Sequence, residues 1–228
     1  MSSKPILFST PMVQAILEGR KTQTRRIVKQ KLIDSCMFDT TLNTPENLLP
    51  RYCPYGKLGD LLWVRETFVL ENNYEYYSKY KLPTDRPLQH HDGFDLIPHY
   101  KATEPEPRIV DEDLMNDKWD DRTRWKPSIF MPRWASRITL EITDIRVERL
   151  QDISEEDAAA EGCRPYFDKE NPVKVEGCSM PMQPLVTPKE SFQKLWQSIN
   201  GNWKNNPFVW VIEFKVHNKN VDEVLNEQ

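Results

Sequence analysis

The sequence predicts an α+β fold that combines long amphipathic strands with short, capped helices. Residues 138–149 and 208–216 alternate apolar and polar side chains, which is the pattern of a strand with one buried face. Residues 188–200 instead carry apolar side chains at helical spacing. The alternation in the first strand changes phase near Thr143 and Asp144, which indicates a bulge. Because a bulge bends a strand, this pattern fits a mostly antiparallel barrel.

Capping residues mark where the helices begin and end. Thr10 precedes a proline, which the first position of a helix tolerates well, and Gly19 stands where a left-handed C-terminal cap is expected. Ser154 and Thr187 begin two similar capping signatures. In chain order, the expected elements are a helix at 11–18, strands at 22–28, 61–68 and 138–149, helices at 155–161 and 188–200, and a last strand at 208–216.

The remaining segments predict the domain organisation. We expect a single domain over residues 1–217, with insertions at about 72–126 and 163–187, because both stretches are irregular and punctuated by proline. Loops of that length usually carry local structure of their own or act as lids. Residues 218–228 are predicted to form a polar, frayed C-terminal tail.

Composition excludes several classes of function. The 228 residues are 38% hydrophobic and 29% charged, and no apolar run approaches the roughly 20 residues of a bilayer-spanning helix. The N-terminus lacks the apolar core of a signal peptide, so we expect a cytoplasmic protein without membrane contact. The four cysteines lack zinc-ligand spacing, which predicts reduced thiols and no metal. No glycine-rich phosphate loop occurs, and no cofactor is expected.

A local excess of positive charge is hidden in the net charge of −4. Six basic residues and no acidic one occur between positions 20 and 31, where the first predicted helix gives way to a strand. An anionic or polar ligand is therefore compatible with the acidic balance of the whole chain.

This basic segment resembles the signature of the ASCH domains, G-x-K-x-x-x-x-R, which is met by Gly19, Lys21 and Arg26. Later landmarks agree in order, including Gly59-Asp60 before a strand and the stretch SEEDAAAEG. The resemblance implies a PUA-like, mostly antiparallel β-barrel with flanking helices and a large insertion. The stretches ILFSTPMVQAILEGRKTQTRR and WKPSIFMPRWASRI are similar to the longer members found in phage and prophage genomes. The matched blocks are about 4–30, 57–70, 127–162 and 188–216.

Small ASCH proteins include amidohydrolases that remove the acetyl group of N4-acetylcytidine. Their catalytic lysine, threonine and glutamate match Lys21, Thr24 and Glu161. The resemblance thus implies a nucleoside pocket in which Thr24 is the nucleophile, Lys21 is the base, and Glu161 orients Lys21 or protonates the leaving amine. Lys21 acts as a base only if burial or a neighbouring cation lowers its pKa. The expected substrate-binding residues around this set are Arg20, Arg25, Arg26, Trp63 and Arg65.

Two alternatives stay open from the sequence. Other ASCH and PUA-like proteins bind or cleave RNA, and residues 118–137 interleave basic side chains with three tryptophans. Single-stranded RNA is therefore the alternative partner, and the expected contacts are Arg122, Arg124, Trp125 and Arg133. The plainer interpretations are that these basic side chains pack over rings, that Trp63 is part of the core, and that Lys21 and Glu161 form a structural ion pair. A phage structural or assembly protein is a more distant alternative.

Overall fold

The fold is seen in a computed structural model that describes residues 2–37, 49–72, 89–91, 94–104, 125–168 and 184–227. Within these ranges the chain is a mixed α+β protein, as predicted. The strands are β1 (Ser3–Leu7), β2 (Gln23–Ile27), β3 (Leu61–Arg65), β4 (Phe68–Asn72), β5 (Gln89–His91), β6 (Phe94–Tyr100), β7 (Thr139–Arg149), β8 (Tyr166–Phe167), β9 (Leu185–Val186) and β10 (Phe208–His217). The α-helices are α1 (Thr10–Leu17), α2 (Gln30–Met37), α3 (Glu155–Ala160), α4 (Pro188–Asn200) and α5 (Val221–Asn226).

Five strands form the main sheet, in the order β1-β3-β7-β10-β2. β1 pairs with β3 in parallel, whereas β3 pairs with β7, and β10 with β2, in antiparallel fashion. Strands β4, β6 and β5 form a second sheet, and β8 and β9 form a hairpin-like pair. In the described part of the chain the main sheet has β1 and β2 as its edges and is not closed into a barrel. The predicted barrel is therefore seen as an open sheet.

The chain divides into two compact units, each built from separate stretches of sequence. One unit comprises residues 1–17, 59–142 and 215–228, and the other comprises residues 18–58 and 143–214. The division falls inside β7, next to Thr143 and Asp144, where two consecutive exposed residues interrupt the alternation that the sequence showed. The expected single domain over residues 1–217 stays a prediction.

The core of the unit 18–58/143–214 lies between helices α3 and α4 and strand β10. Phe192 and Trp196 of α4 pack with Val209 and Val211 of β10, and all four are buried. The predicted capping box is present, since the Thr187 hydroxyl accepts from the Glu190 amide at 3.3 Å and the Glu190 carboxylate accepts from the Thr187 amide at 2.9 Å. These caps explain why the predicted bounds of α4 agree with the observed ones.

The end of α3 is joined to the entrance of β2 by backbone contacts in the same unit. Ser154 caps the helix by accepting from the amide of Asp157 at 3.1 Å. The amide of Thr22 donates to the carbonyl of Ala160 at 2.9 Å, and Lys21 and Glu161 form an isolated antiparallel bridge. Two residues that are distant in sequence are thereby held side by side before any side-chain contact is considered.

The other unit contains a correction to the expected C-terminal tail. Residues after His217 were predicted to fray, yet Val221–Asn226 form helix α5. Val221 and Val224 are buried against Leu61 and Trp63 of β3. The prediction was wrong because two valines one helical turn apart supply an apolar face that the polar composition of the tail obscured.

The long excursion after β4 carries local structure where it is described. Strand β6 pairs with β4, with Tyr100 opposite Phe68, and the Tyr100 hydroxyl donates to the carbonyl of Ala135 at 2.8 Å.

In the described ranges, none of the helices combines the length and apolarity needed to cross a membrane.

Val221→Ala is expected to lower the free energy of unfolding by about 1–3 kcal/mol, because it removes fully buried methyl groups and leaves a cavity beside Leu61 and Trp63. Glu223→Ala, on the exposed face of the same helix, should change it by less than about 0.5 kcal/mol. Urea denaturation measures both values. Equal small effects would show that α5 frays, as the sequence first suggested.

Candidate functional site

Lys21 and Glu161 form a buried ion pair at the junction of β2 and α3. The ammonium of Lys21 donates to Oε2 of Glu161 at 2.6 Å and to the backbone carbonyl of the same residue at 3.0 Å. Lys21 is 1% exposed and Glu161 is 5% exposed. The structure therefore brings together two of the three predicted catalytic residues, and it holds the lysine against both the side chain and the main chain of its partner.

Arg25 contacts the same carboxylate from another direction. Its Nη1 donates to Oε1 of Glu161 at 3.3 Å, and its Nη2 donates to Asp157 at 2.8 Å and to Glu148 at 3.1 Å. The side chain of Arg25 is completely buried. Arg25 is among the expected substrate-binding residues, and the structure shows its guanidinium enclosed by three carboxylates.

A second arginine completes this network on its outer side. Arg146 donates to Glu148 at 2.5 Å and to Asp157 at 3.1 Å, and it also pairs with Glu213. Burial alone would raise the pKa of the Asp157 carboxyl, but Arg25, Gln23 and Arg146 together hold that pKa below its usual value. Asp157 is therefore ionised at neutral pH and anchors both arginines.

Thr24 lies on the other face of β2 from Gln23 and Arg25, because side chains alternate along a strand. It is completely buried, and its hydroxyl accepts from Nη1 of Arg26 at 2.6 Å. Arg26 also donates to the carbonyl of Arg25 at 2.9 Å and hydrogen-bonds with Tyr55. Sequence reasoning missed Tyr55, which has no local pattern to reveal it. Thr24 is thus linked to the site through Arg26.

The pKa of Lys21 is lowered from the usual lysine value. The largest cause is burial, which disfavours the charged ammonium, and the positive charge of Arg26 lowers the pKa further. The pairing with Glu161 and the nearby Cys163 act in the opposite direction. Burial raises the pKa of the Cys163 thiol, so this cysteine is a neutral neighbour at physiological pH. The net effect lowers the pKa, so Lys21 loses its proton more readily than an exposed lysine and reaches more easily the neutral form that a general base needs.

Arg20, which precedes Lys21, contacts the turn that follows Glu161. It donates to the carbonyl of Gly162 at 2.6 Å and to Glu18 at 2.6 Å. Its side chain is 24% exposed, so it is accessible to solvent in part, unlike Lys21 and Glu161. Its assignment to substrate binding stays a prediction.

The other predicted contact residues belong to the unit 1–17/59–142/215–228. Trp63 is buried, with the Arg65 guanidinium 5.2 Å from its ring. The ring of Trp125 has the ammonium of Lys101 at 6.0 Å. Arg133 is bound to Asp222 and to the Ser3 hydroxyl. Arg122 and Arg124, which are predicted to contact nucleic acid, lie outside the described residues.

Three comparisons with known proteins found no match to this chain. No family model matches the sequence, and neither the curated proteins nor the solved structures contain a significant match. The ASCH assignment accordingly continues to depend on the sequence resemblance. Across the described ranges, His, Cys, Asp and Glu side chains form no group of three arranged to hold a metal ion.

Glu161→Gln is expected to lower the free energy of unfolding by about 3–5 kcal/mol at pH 7, because Lys21 and Arg25 are then buried against a neutral amide. Lys21→Met should cost clearly less, since Arg25 still compensates the Glu161 carboxylate. Urea denaturation of both variants measures the difference.

The double variant supplies the control for this asymmetry. Once the glutamate is neutral, removing the buried lysine should recover part of the loss, so the double variant is expected to be more stable than Glu161→Gln alone. A Lys21→Met variant at least as unstable as Glu161→Gln would contradict the sharing of the Glu161 carboxylate between Lys21 and Arg25.

Proposed function

We propose that the protein is an ASCH-type amidohydrolase that removes the acyl group from N4-acylated cytidine-type nucleosides. Lys21 is the general base, Thr24 is the nucleophile and Glu161 orients Lys21. The observation that carries the proposal is the buried contact of 2.6 Å between Lys21 and Glu161, together with a Lys21 pKa that is lowered mainly by burial. The proposal includes a relationship to the PUA-like fold, although the described main sheet is open.

The hydrogen bonds of Lys21 suit a base that alternates between two protonation states. Two of its N–H groups are directed at Glu161, one at the carboxylate and one at the backbone carbonyl. A neutral amine can keep both of these bonds with its two hydrogens. Glu161 therefore restrains the orientation of the amine in either state, which supports its orienting role over that of an acid.

Arg26 connects the base and the proposed nucleophile. Its guanidinium binds the Thr24 hydroxyl at 2.6 Å, and its charge helps to lower the pKa of Lys21. A cation at this hydroxyl also stabilises the negative charge that develops on oxygen during attack. Catalysis requires the Lys21 amine to reach the Thr24 hydroxyl, three residues further along the chain.

The reaction balances with these groups and one water molecule. The Lys21 amine takes the Thr24 proton as Oγ1 forms a bond to the acyl carbon. The Lys21 ammonium returns this proton to the N4 nitrogen as the carbon–nitrogen bond breaks, which releases cytidine. Lys21 then deprotonates water, which cleaves the threonyl ester, and the proton goes back to Thr24 as the carboxylic acid leaves.

The burial of the proposed catalytic residues differs from the open groove that RNA strands occupy. Lys21, Thr24 and Glu161 are each at most 5% exposed, whereas proteins that bind single strands present cations and aromatic rings along an open groove. Of the residues predicted to contact RNA, Arg133 is already bound to Asp222. The substrate class itself comes from the resemblance carried by Gly19, Lys21 and Arg26.

The direct test is to incubate the purified protein with N4-acetylcytidine and to measure cytidine and acetate. Lys21→Ala and Glu161→Gln should each lower kcat/KM by roughly 10²–10⁴-fold, the usual contribution of a positioned base. Thr24→Ser should keep more activity than Thr24→Ala. Full activity in Thr24→Ala would assign the attack to water, and shortened RNA strands without free acetate would support the alternative activity instead.

The acidic limb of the pH profile should report the ionisation of Lys21. Activity is expected to rise as Lys21 loses its proton, with a midpoint below the ordinary lysine pKa of 10.5. Arg26→Gln removes a charge that lowers this pKa, so the limb should move to higher pH, whereas Arg26→Lys keeps the charge and should leave the limb near its original position. A limb that does not move in Arg26→Gln would exclude Lys21 as the titrating base.

A further inference from the structure

Arg25 is a buried charge that the proposed mechanism does not use. Its two terminal nitrogens bind three carboxylates, and its side chain has no exposed surface. Its Nε is a buried donor that has no hydrogen-bond partner in the described part of the chain. Buried donors are rarely left unsatisfied. The orientation of this guanidinium is therefore set by the carboxylates at its far end, at the expense of the nearer nitrogen.

We propose that Arg25 is a positioning residue that holds Oε1 of Glu161 and thereby leaves Oε2 directed at Lys21. This inference rests on the proposed function, because it assigns a role to Arg25 through the orienting residue of that site. It replaces the expectation that Arg25 binds substrate.

The strand geometry explains how two cations divide one carboxylate. Lys21 and Arg25 are four residues apart, which corresponds to roughly 13 Å along an extended strand. Both side chains are long, so they approach Glu161 from opposite directions and each reaches a different oxygen, at 2.6 Å and 3.3 Å. The carboxylate cannot turn without breaking one of these contacts.

The division also keeps Glu161 compensated when Lys21 is neutral. A carboxylate paired only with Lys21 would hold the proton on the amine, because the pairing stabilises the ammonium. With Arg25 bound to Oε1, a permanent positive charge stays at the carboxylate throughout the proton transfer. Arg25 thus lets Lys21 exchange its proton without leaving an isolated buried anion.

Arg146 provides a matched control within the same network. It binds Asp157 and Glu148, as Arg25 does, but its contacts in the described residues do not include Glu161. Lysine in place of either arginine keeps the charge and loses the planar fork that engages several carboxylates. Both changes disturb the same ion network, and only Arg25→Lys disturbs Glu161.

The experiment compares Arg25→Lys with Arg146→Lys in the full chain. With N4-acetylcytidine, Arg25→Lys should lower kcat by roughly 10–100-fold, since small misplacement of a catalytic group has effects of this size, and KM should stay within about twofold of the original because Arg25 does not touch the substrate. Arg146→Lys should change kcat by less than about threefold on the same reasoning.

A second readout does not depend on activity. The protein is labelled with ¹³C at lysine Cε, and its nuclear magnetic resonance signals are followed against pH. The Lys21 signal is assigned by its loss in Lys21→Met, and its change with pH gives the titration of Lys21 directly. Its midpoint should move in Arg25→Lys and stay in place in Arg146→Lys. If the original protein lacks hydrolytic activity and the midpoint still responds only to Arg25→Lys, the proposed function fails and the positioning role stands.

Equal effects of the two substitutions on kcat and on the titration would overturn the inference while leaving the hydrolase intact. Should Arg25→Lys fail to fold, the test uses variants that keep Arg25. In these variants the nuclear magnetic resonance signals of the Arg25 Nη groups are followed. They are expected to shift in Glu161→Gln and to stay unchanged in Glu213→Gln, which alters only the partner of Arg146. Unchanged signals in Glu161→Gln would contradict the contact.

Discussion

The carboxylate of Glu161, shared between two buried cations, is the interaction on which the site depends. Its position is fixed first by the backbone, since the residue that ends α3 forms a bridge with Lys21 at the entrance of β2. The side chains then divide the carboxylate, with Lys21 at one oxygen and Arg25 at the other. Any change to Glu161 therefore alters both the junction of two elements and the ionisation of the lysine.

The size of the surrounding network favours a role beyond stability. Lys21, Arg25 and Arg146 face three carboxylates, those of Glu148, Asp157 and Glu161, and Glu213 lies at the outer edge. Buried ion pairs contribute little net stability relative to well-packed apolar side chains, because desolvation offsets their attraction. Burial in this network instead lowers the pKa of Lys21, and perturbed ionisable groups concentrate at functional sites.

Local signals were sufficient for the elements that hold the site. The capping serine and threonine, the closing glycines and the alternating strands predicted α3, α4, β2 and β10 because each signal acts within a few residues. Side-chain environment was harder to predict. Arg25 was expected to bind substrate, because alternation along a strand does not say which face is enclosed by acidic side chains. The short helix α5 was missed although Asn220 caps it, accepting from the Asp222 amide at 2.9 Å, since its two valines become informative only when β3 lies beside them.

The titration of Lys21 in the unaltered protein is the sharpest test of whether this residue can act as a base. Burial and the charge of Arg26 lower its pKa, and Glu161 and Cys163 only partly oppose them. Nuclear magnetic resonance of the lysine Cε carbon, followed against pH, measures the midpoint for this one residue. The midpoint is expected below the ordinary lysine value of 10.5. A Lys21 midpoint at or above 10.5 would mean that the ion pair with Glu161 outweighs burial, and Lys21 would then be a structural cation rather than a base.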